Sequence, residues 1–162
     1  MNPQVLSSQD SIFIVFLASF LIWFMFGGLI ILWVIDGRIK KEQVLHALLA
    51  ALLAWVAATM LKSLMPQSRP FSLNELPPLT FITPSVNSSF PSGHTAVAFG
   101  IAISVWLHSR KIGIWFIVAA TFVGLGRIVS NVHFYADVVG GAMIGVLIAY
   151  VIKRLHLFKM LT

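Results

Sequence analysis

His133 and Asp137 stand four residues apart, a spacing that suits a nucleophile and the group that orients it. On a helix, this spacing puts both side chains on one face, where the carboxylate accepts a hydrogen bond from one imidazole nitrogen. The other nitrogen is then free and more nucleophilic, as covalent catalysis requires. A purely structural ion pair between Asp137 and Arg127 is the alternative interpretation.

A second cluster, residues 89–95 (SFPSGHT), opens an apolar stretch that is typical of a helix. A helix N-terminus offers unpaired backbone N–H groups and the positive end of the helix dipole, which together attract anions. Ser92 and Gly93 allow an anion to approach closely, and His94 is positioned to donate a proton to it. The alternative is a serine N-cap followed by an interfacial histidine that has no chemical role.

Lys62 and Arg69 form a third cluster, with Pro66 between them and Pro70 directly after Arg69. Proline breaks a helix, and a broken helix end can turn both cationic side chains toward one point. Such convergence suits phosphate, because its charge is spread over several oxygens. For each basic residue taken alone, including Arg127, the alternative is a headgroup anchor at a helix end.

The elements that must hold these clusters are membrane-spanning helices. Of the 162 residues, 59% are hydrophobic and 10% are charged, and the mean hydropathy is +0.94. Runs of about 17–25 apolar residues can cross the hydrocarbon core, and five are predicted: Ile12–Ile35, Val44–Leu61, Thr95–Leu107, Ile112–Val129 and Val138–Ile152. The sequence therefore predicts an all-α, polytopic transmembrane helix bundle. It forms one domain over residues 1–162, with a catalytic core at about 44–152.

Basic residues between the spans indicate how the bundle lies in the membrane. Eight of the eleven lysines and arginines fall in three segments that share one side: Arg38, Lys40, Lys41, Arg110, Lys111, Lys153, Arg154 and Lys159. The positive-inside rule places this side in the cytoplasm and the N-terminus outside. Lys62, Arg69 and Arg127 then lie on the outer side, where we expect an anion site. Topology and an anionic substrate explain the formal net charge of +6, so nucleic acid is not expected as a partner.

The sequence resembles the type 2 phosphatidic acid phosphatase superfamily in three motifs: Lys62-x6-Arg69-Pro70, Pro91-Ser92-Gly93-His94 and Arg127-x5-His133-x3-Asp137. The resemblance implies that His133 attacks phosphorus and that Asp137 orients it. It implies that His94 protonates the departing lipid oxygen and later activates water. It also implies five phosphate-binding residues: Lys62, Arg69, Ser92, Gly93 and Arg127. One departure is Gly126, because the family usually has serine before this arginine.

The resemblance further implies a membrane lipid phosphatase that works through a phosphohistidine, without metal or cofactor. We expect it in a bacterial cytoplasmic membrane, with the site facing the outer side. Undecaprenyl or another prenyl diphosphate is the favoured substrate because the chain is minimal. Phosphatidylglycerol phosphate, phosphatidic acid and lipid A phosphates stay open. A non-catalytic phospholipid-binding membrane protein is an alternative from another class. The vanadate-dependent haloperoxidase chemistry of soluble relatives is a third, against which the apolar composition argues.

No metal is expected at the site, because the acidic residues are too scattered to hold Mg²⁺. They are Asp10, Asp36, Glu42, Glu75 and Asp137. The histidines outside the motifs, His46, His108 and His156, fall on or near the cytoplasmic side, and we expect them to be structural.

Two further patterns concern packing. Gly141 and Gly145 form a G-x-x-x-G motif, which allows helix backbones to approach closely. Contacts within one subunit are the favoured use of this motif, and a homodimer interface is the alternative. The long outer segment, residues 63–90, mixes apolar residues with prolines. We expect it to pack over the entrance of the site or to dip into the membrane interface.

Overall fold

The computed structural model describes residues 8–35 and 38–155, with side chains described for 11–35 and 41–155. The helices are α1 (Ser8–Val15), α2 (Leu21–Ile35), α3 (Arg38–Leu64), α4 (Pro70–Asn74), α5 (Gly93–His108), α6 (Arg110–Val129) and α7 (Tyr135–Leu155). A π-helical turn, Phe16–Phe20, joins α1 to α2. Some residues named above lie outside the described residues, entirely (Asp36, His156, Lys159) or in their side chains (Asp10, Arg38, Lys40).

Four helical stretches of the described chain are long and apolar enough to cross a membrane. They are Ser11–Ile35, which joins α1, the π-helical turn and α2, Lys41–Leu64 within α3, Arg110–Val129 and Tyr135–Leu155. The fifth predicted span corresponds to α5, which has 16 residues and is therefore about 24 Å long. This helix begins at Gly93, two residues before the predicted start, so His94 lies in its first turn. The described part of the chain contains no strand, and the predicted all-α helix bundle is confirmed.

Helix α5 lies at the centre of the bundle and packs against α3, α6 and α7. Because three helices surround it, its residues are buried nearly all round, and Ala96, Ile101 and Val105 have no exposed surface. The surrounding helices turn large apolar side chains outward, among them Trp115, Met143 and Leu147. Such an outer surface suits lipid tails, which are as apolar as the side chains themselves.

The G-x-x-x-G motif of α7 is used inside the chain. A Cβ added to Gly141 would lie 2.4 Å from the carbonyl oxygen of Ser92, and one added to Gly145 would lie 2.3 Å from that of Ala96. These distances are too short for any side chain, so glycine is needed for α7 to pack closely against α5. The contact brings the starts of α5 and α7 together, and the backbone N–H of Ser92 donates to the carbonyl of Asp137 at 2.9 Å.

The segment between α3 and α5, residues 65–92, covers this same end of the bundle. Its backbone donates to the connection between α6 and α7, from Phe71 to the Asn131 carbonyl at 3.2 Å and from Leu79 to the Ser130 carbonyl at 2.9 Å. A third bond joins it to the N-terminal helix, from the backbone N–H of Phe81 to Ser19 Oγ at 3.2 Å. The segment is therefore packed onto the bundle, as predicted.

Candidate active site

The three predicted clusters meet at one end of the bundle, where α3 and α6 end and α5 and α7 begin. They surround a cavity of about 560 Å³. Six of the eight predicted site residues line it: Lys62, Arg69, Gly93, His94, Arg127 and His133. The other two lie behind this lining, Asp137 against His133 and Ser92 beneath the start of α5. Residues separated by up to 75 positions in the sequence thus share one site.

His133 makes one contact with each of its ring nitrogens. Its Nδ1 lies 3.2 Å from Asp137 Oδ2, and its Nε2 lies 3.2 Å from Arg69 Nη1. A guanidinium group only donates, so Nε2 accepts from Arg69, and Nδ1 carries the proton that it donates to Asp137. The tautomer that follows has its lone pair on Nε2, on the side of the cavity. The bond to Asp137 is the one that the spacing predicts, whereas Nε2, which was expected to be free, accepts from Arg69.

The backbone that produces this contact differs from the prediction in one respect. His133 precedes the first residue of α7, Tyr135, so the two side chains do not share a helix face. The connection before α7 instead turns sharply at Asn131, whose φ is 62°. Two backbone N–H groups, those of Val132 and His133, then donate to the carbonyl of Arg127 at 3.4 and 3.2 Å. The tight turn holds His133 above the helix start that carries Asp137.

Asp137 is completely buried and held by three donors on one oxygen. Besides His133, its Oδ2 accepts from Ser89 Oγ at 2.5 Å and from the backbone N–H of Phe134 at 2.9 Å. The alternative of a structural ion pair with Arg127 is not observed among the described residues, where the ionisable side chain that Asp137 contacts is the imidazole of His133. Asp137 is therefore positioned to hold the imidazole.

Backbone carbonyls hold two of the cations in place. Lys62 Nζ donates to the carbonyls of Ser88 and Ser89 at 2.8 and 3.1 Å. The Arg69 guanidinium donates through Nη1 to the carbonyl of Val132 at 2.8 Å and through Nη2 to that of Ser88 at 2.9 Å. A neutral carbonyl orients a cation without cancelling its charge. Both positive charges therefore stay available to an anion.

Arg127 has a buried donor without a partner. Its Nη1 donates to the carbonyl of Ala18 at 2.8 Å, but its Nε is buried and has no hydrogen-bond partner among the described residues. A buried N–H left unpaired costs about 1–3 kcal/mol. An oxyanion in the adjacent cavity would satisfy it, so this atom supports the prediction that the cavity binds an anion.

The environment keeps His133 neutral at ordinary pH. Burial lowers the pKa of His133 from 6.5 to about 4; the hydrogen bond to Asp137 raises it, whereas the positive charges of Arg127, Arg69 and Lys62 lower it further. A neutral imidazole retains the Nε2 lone pair that a nucleophile needs. The cations that attract a phosphate group therefore also favour the reactive form of the histidine.

Comparison with known proteins identifies the family of the chain. The family model described as the PAP2 superfamily matches residues 43–161 of the chain. The chain belongs to the PAP2 superfamily. This confirms the resemblance inferred from the three motifs and, with the long apolar helices, identifies an integral membrane protein.

Three bacterial proteins are similar to this chain. The chain is 34% identical over 135 residues to the bacitracin transport permease protein BcrC of Bacillus licheniformis, covering 83% of this chain and 66% of the relative. It is 27% identical over 126 residues to the undecaprenyl-diphosphatase BcrC of Bacillus subtilis strain 168, covering 78% and 64%. The chain thus spans just under two thirds of the length of these curated relatives. The crystal structure of Aquifex aeolicus LpxE matches with a TM-score of 0.74 and 32% identity, covering 91% of this chain and 87% of that one.

The departure at Gly126 from the usual PAP2 motif has a packing reason. A Cβ added to Gly126 would lie 2.8 Å from the carbonyl carbon of Leu17 and 2.9 Å from the backbone nitrogen of Ala18. The π-helical turn of the N-terminal helix therefore occupies the space that a serine side chain would need. The same close approach brings the carbonyl of Ala18 to Arg127. In this PAP2 chain, a backbone carbonyl is the neighbour of the arginine at this position.

Gly93 and Ser92 differ in their relation to the cavity. A Cβ added to Gly93 would meet no atom within 4 Å, so this glycine leaves open space beside the first turn of α5. Ser92 has no exposed surface, and its Oγ accepts from Thr95 Oγ1 at 2.9 Å. Ser92 occupies the N-cap position of α5, as the alternative interpretation has it, but its side chain makes no capping bond to the helix backbone. The phosphate contact of Ser92 stays a prediction.

The cavity also has an apolar part, which motif reasoning did not find. It extends from the cations between α2 and α3, and its lining there includes Ile22, Trp23, Phe26, Leu48, Leu52 and Trp55. The residues on α3 recur at helical spacing, but lipid-facing residues do the same. Sequence alone therefore could not separate a cavity wall from the outer surface. The bond from Ser89 to Asp137 was also not predicted, although Ser89 lies within the second cluster.

Proposed function

We propose that this PAP2 protein is an integral membrane phosphatase that removes the terminal phosphate from a lipid-linked diphosphate, with undecaprenyl diphosphate as its substrate. The observation that carries the proposal is the orientation of His133. Its Nε2 lone pair faces a cavity whose neighbouring cations, Lys62, Arg69 and Arg127, donate to backbone carbonyls and pair with no carboxylate of the described chain. A nucleophile beside uncancelled positive charge suits phosphoryl transfer.

In the proposed first step, Arg69 Nη1 turns from His133 Nε2 to the bound phosphate, and the released Nε2 lone pair attacks the terminal phosphorus. The nitrogen–phosphorus bond forms while the bond from phosphorus to the lipid-side oxygen breaks. His94, which the negative charge of the bound phosphate holds in its protonated form, donates a proton to that oxygen. His133 gains positive charge in this step. Asp137 stabilises that charge through the hydrogen bond at Nδ1, which also fixes the ring orientation.

In the second step, water attacks the phosphorus of the phosphohistidine. His94, neutral after the first step, accepts a proton from this water, and the nitrogen–phosphorus bond breaks. Inorganic phosphate is released and both histidines return to their starting states. The proton that His94 loses in the first step is thereby replaced in the second.

The phosphate oxygens are held by Lys62, Arg69 and Arg127 and by the backbone N–H of Gly93 at the start of α5. Removing one donor that stabilises developing charge typically costs about 10²–10³ in rate. For Ser92 to contribute, its hydroxyl would have to turn from Thr95 toward the cavity. Because three side chains supply the positive charge, the chemistry needs no metal, and we expect full activity in EDTA.

The shape of the cavity supports a lipid substrate. Its cationic end suits a phosphate, and its apolar extension between α2 and α3 suits a hydrocarbon chain. The extension reaches Leu48, which lies about 21 Å along α3 from Lys62. The relative from Bacillus subtilis named undecaprenyl-diphosphatase supports a prenyl diphosphate over the other lipid phosphates.

We place the site on the outer side of a bacterial cytoplasmic membrane, on the positive-inside argument. The chain has no cysteine, so single cysteines can report which side each end faces. Val86 beside the site and Lys111 at the opposite end are both exposed. In intact cells, a membrane-impermeant maleimide is expected to label Val86→Cys and to spare Lys111→Cys. The opposite pattern would contradict the proposed orientation.

A phosphate-release panel tests the reaction and the substrate together. The purified protein in detergent is assayed with undecaprenyl diphosphate, phosphatidylglycerol phosphate, phosphatidic acid and a lipid A phosphate, and the His133→Gln variant is the blank. We expect fastest release from the diphosphate, together with an acid-labile phosphoenzyme that the variant lacks. Release that survives His133→Gln would exclude the mechanism. Saturable lipid binding without any release would instead identify a phospholipid-binding protein.

A further inference from the structure

A second group of histidines lies at the end of the bundle opposite the cavity. His46 is on α3 and His108 is the last residue of α5, and His46 Nδ1 lies 3.1 Å from His108 Nε2. Glu42 stands one helical turn before His46, and one ligand atom of each of the three residues lies within 4.8 Å of the others. The phosphatase reaction gives no role to Glu42, His46 or His108.

The contacts around His108 orient it as a ligand. Its Nδ1 lies 2.8 Å from the carbonyl oxygen of Ser104, which can only accept. Nδ1 is therefore the protonated nitrogen, and the lone pair of Nε2 points at His46. Histidines that bind metals commonly donate their other ring N–H to a backbone carbonyl in this way. Gln43 pins the same two helices together, with its Nε2 donating to the carbonyl of Val105 at 3.3 Å.

We propose that Glu42, His46 and His108 bind one divalent transition-metal ion, with Zn²⁺ as the fitting ion. Two imidazoles and one carboxylate, with no thiolate, form a ligand set that zinc accepts, with water in the fourth position. Zinc–nitrogen bonds of about 2.0–2.1 Å put two tetrahedral ligand nitrogens about 3.3 Å apart. The observed 3.1 Å between His46 and His108 is close to that separation. Because His108 Nε2 accepts, His46 Nδ1 holds the proton between them, and the ion displaces that proton when both nitrogens bind it. A carboxylate oxygen of Glu42 lies within 4.8 Å of one ring nitrogen of each histidine and would move closer to them to bind the same ion.

The ion would act on stability and not on the phosphate chemistry. The two helices that carry its ligands also carry site residues at their other ends, Lys62 on α3 and His94 on α5. Along the helices, these lie about 24 Å from His46 and about 21 Å from His108. An ion at this distance cannot touch the substrate. It would clamp α3 to α5, and its binding to the folded state alone would raise the unfolding temperature.

The test uses the whole protein in detergent after EDTA has been removed by dialysis. Zn²⁺ is titrated by calorimetry, Co²⁺ is followed by its visible absorption, and thermal unfolding is measured with and without Zn²⁺. We expect one ion per chain and a higher unfolding temperature with Zn²⁺. We expect His108→Gln and Glu42→Gln each to weaken Zn²⁺ binding at least tenfold. His133→Gln, at the other end, should bind Zn²⁺ as the unchanged protein does, which separates this site from the cavity.

Two results would overturn the proposal. One is the absence of saturable Zn²⁺ binding in the unchanged protein, which would leave a simple hydrogen bond between His46 and His108. The other is binding that both variants leave unaltered. Circular dichroism and gel filtration establish that each variant is folded. Glu42→Gln preserves the shape and polarity of its side chain, so it keeps the test decisive if His108→Gln does not fold.

Discussion

The two ends of the helix bundle both contain a pair of histidines, but the neighbours of each pair differ. At one end, His94 and His133 line a cavity together with three cations: Lys62, Arg69 and Arg127. At the other, His46 and His108 are in contact beside a carboxylate, Glu42. The positive charge around the first pair favours a bound anion and the neutral form of His133, whereas the carboxylate beside the second pair favours a bound cation. The same residue type is therefore directed to opposite ligands by the charge around it.

The two ends also differ in how much room they leave. Gly93, beside the cavity, would accept a Cβ without meeting any atom within 4 Å. At the opposite end, a Cβ on Gly113 would lie 2.2 Å from the Cα of Trp106, because Ser109 alone separates α5 from α6. A tight turn at Ser109 closes the end opposite the cavity, whereas the long segment 65–92 covers the cavity end and leaves space beneath it. Space for a substrate therefore exists at the cationic end.

The largest expected effect comes from the nucleophile. His133→Gln is expected to lower kcat by at least about 10⁴-fold, because the variant lacks the nitrogen that forms the covalent intermediate. Tyr135→Phe is the matched control and is expected to leave kcat unchanged, since Tyr135 is exposed at the first residue of α7, two residues after His133. The measurement is phosphate release with the lipid diphosphate. If the His133 variant retained a tenth of the activity, His133 would not be the nucleophile, and the two histidine pairs would not differ in chemical role.

Charge is tested by equal substitutions of an arginine at each end. Arg127→Gln is expected to lower kcat/KM by about 10²–10³-fold, because the phosphate loses a charged donor. Arg110→Gln is expected to leave it unchanged, because Arg110 is exposed and lies over the ring of Trp106. Arg127 is buried, so its variant needs a check of folding by thermal unfolding. Lys62→Gln gives the same test at a half-buried position. Equal effects of the Arg110 and Arg127 variants would contradict the assignment.

Space is tested by adding one methyl group. Gly93→Ala is expected to raise KM by about tenfold or more with little change in unfolding temperature, because the new methyl group occupies room for the phosphate and contacts no protein atom. Gly27→Ala is the control, since a Cβ there also meets nothing within 4 Å. Kinetics and thermal unfolding are measured on both variants. A Gly93 variant that is unstable but kinetically normal would show that this glycine serves packing instead.

The smallest expected effect is a shift of the pH profile. Protonation of His133 occupies its Nε2 lone pair, so activity is lost as the pH falls through its pKa. Burial and the nearby cations lower that pKa to about 4, against the hydrogen bond to Asp137, so the acid limb of kcat/KM is expected well below 6.5. Arg69→Gln removes one positive charge and is expected to move the limb to higher pH. An acid limb at the same pH in Arg69→Gln would contradict the claim that the nearby cations lower the pKa of His133.

Much of the site was predictable because its residues have types and spacings that few other roles require. His133 and Asp137, and the basic residues of the three clusters, lie together as the motifs indicate. The helical face expected for His133 and Asp137 was wrong, because Asn131 turns the chain before α7 begins. Local spacing predicts that two side chains can meet, but it does not determine the backbone by which they do so.

The sequence by itself determined the five apolar helices, the basic and histidine motifs, and the membership of the PAP2 superfamily that those motifs indicate. Hydropathy and motif spacing are properties of single segments, so they can be read without coordinates. Only the tertiary structure decided that Ala18 binds Arg127, that Ser89 binds Asp137, and that an apolar cavity opens between α2 and α3. These contacts join segments far apart in the chain. Their partners are backbone carbonyls, a common hydroxyl and ordinary apolar residues, which carry no signal in a sequence.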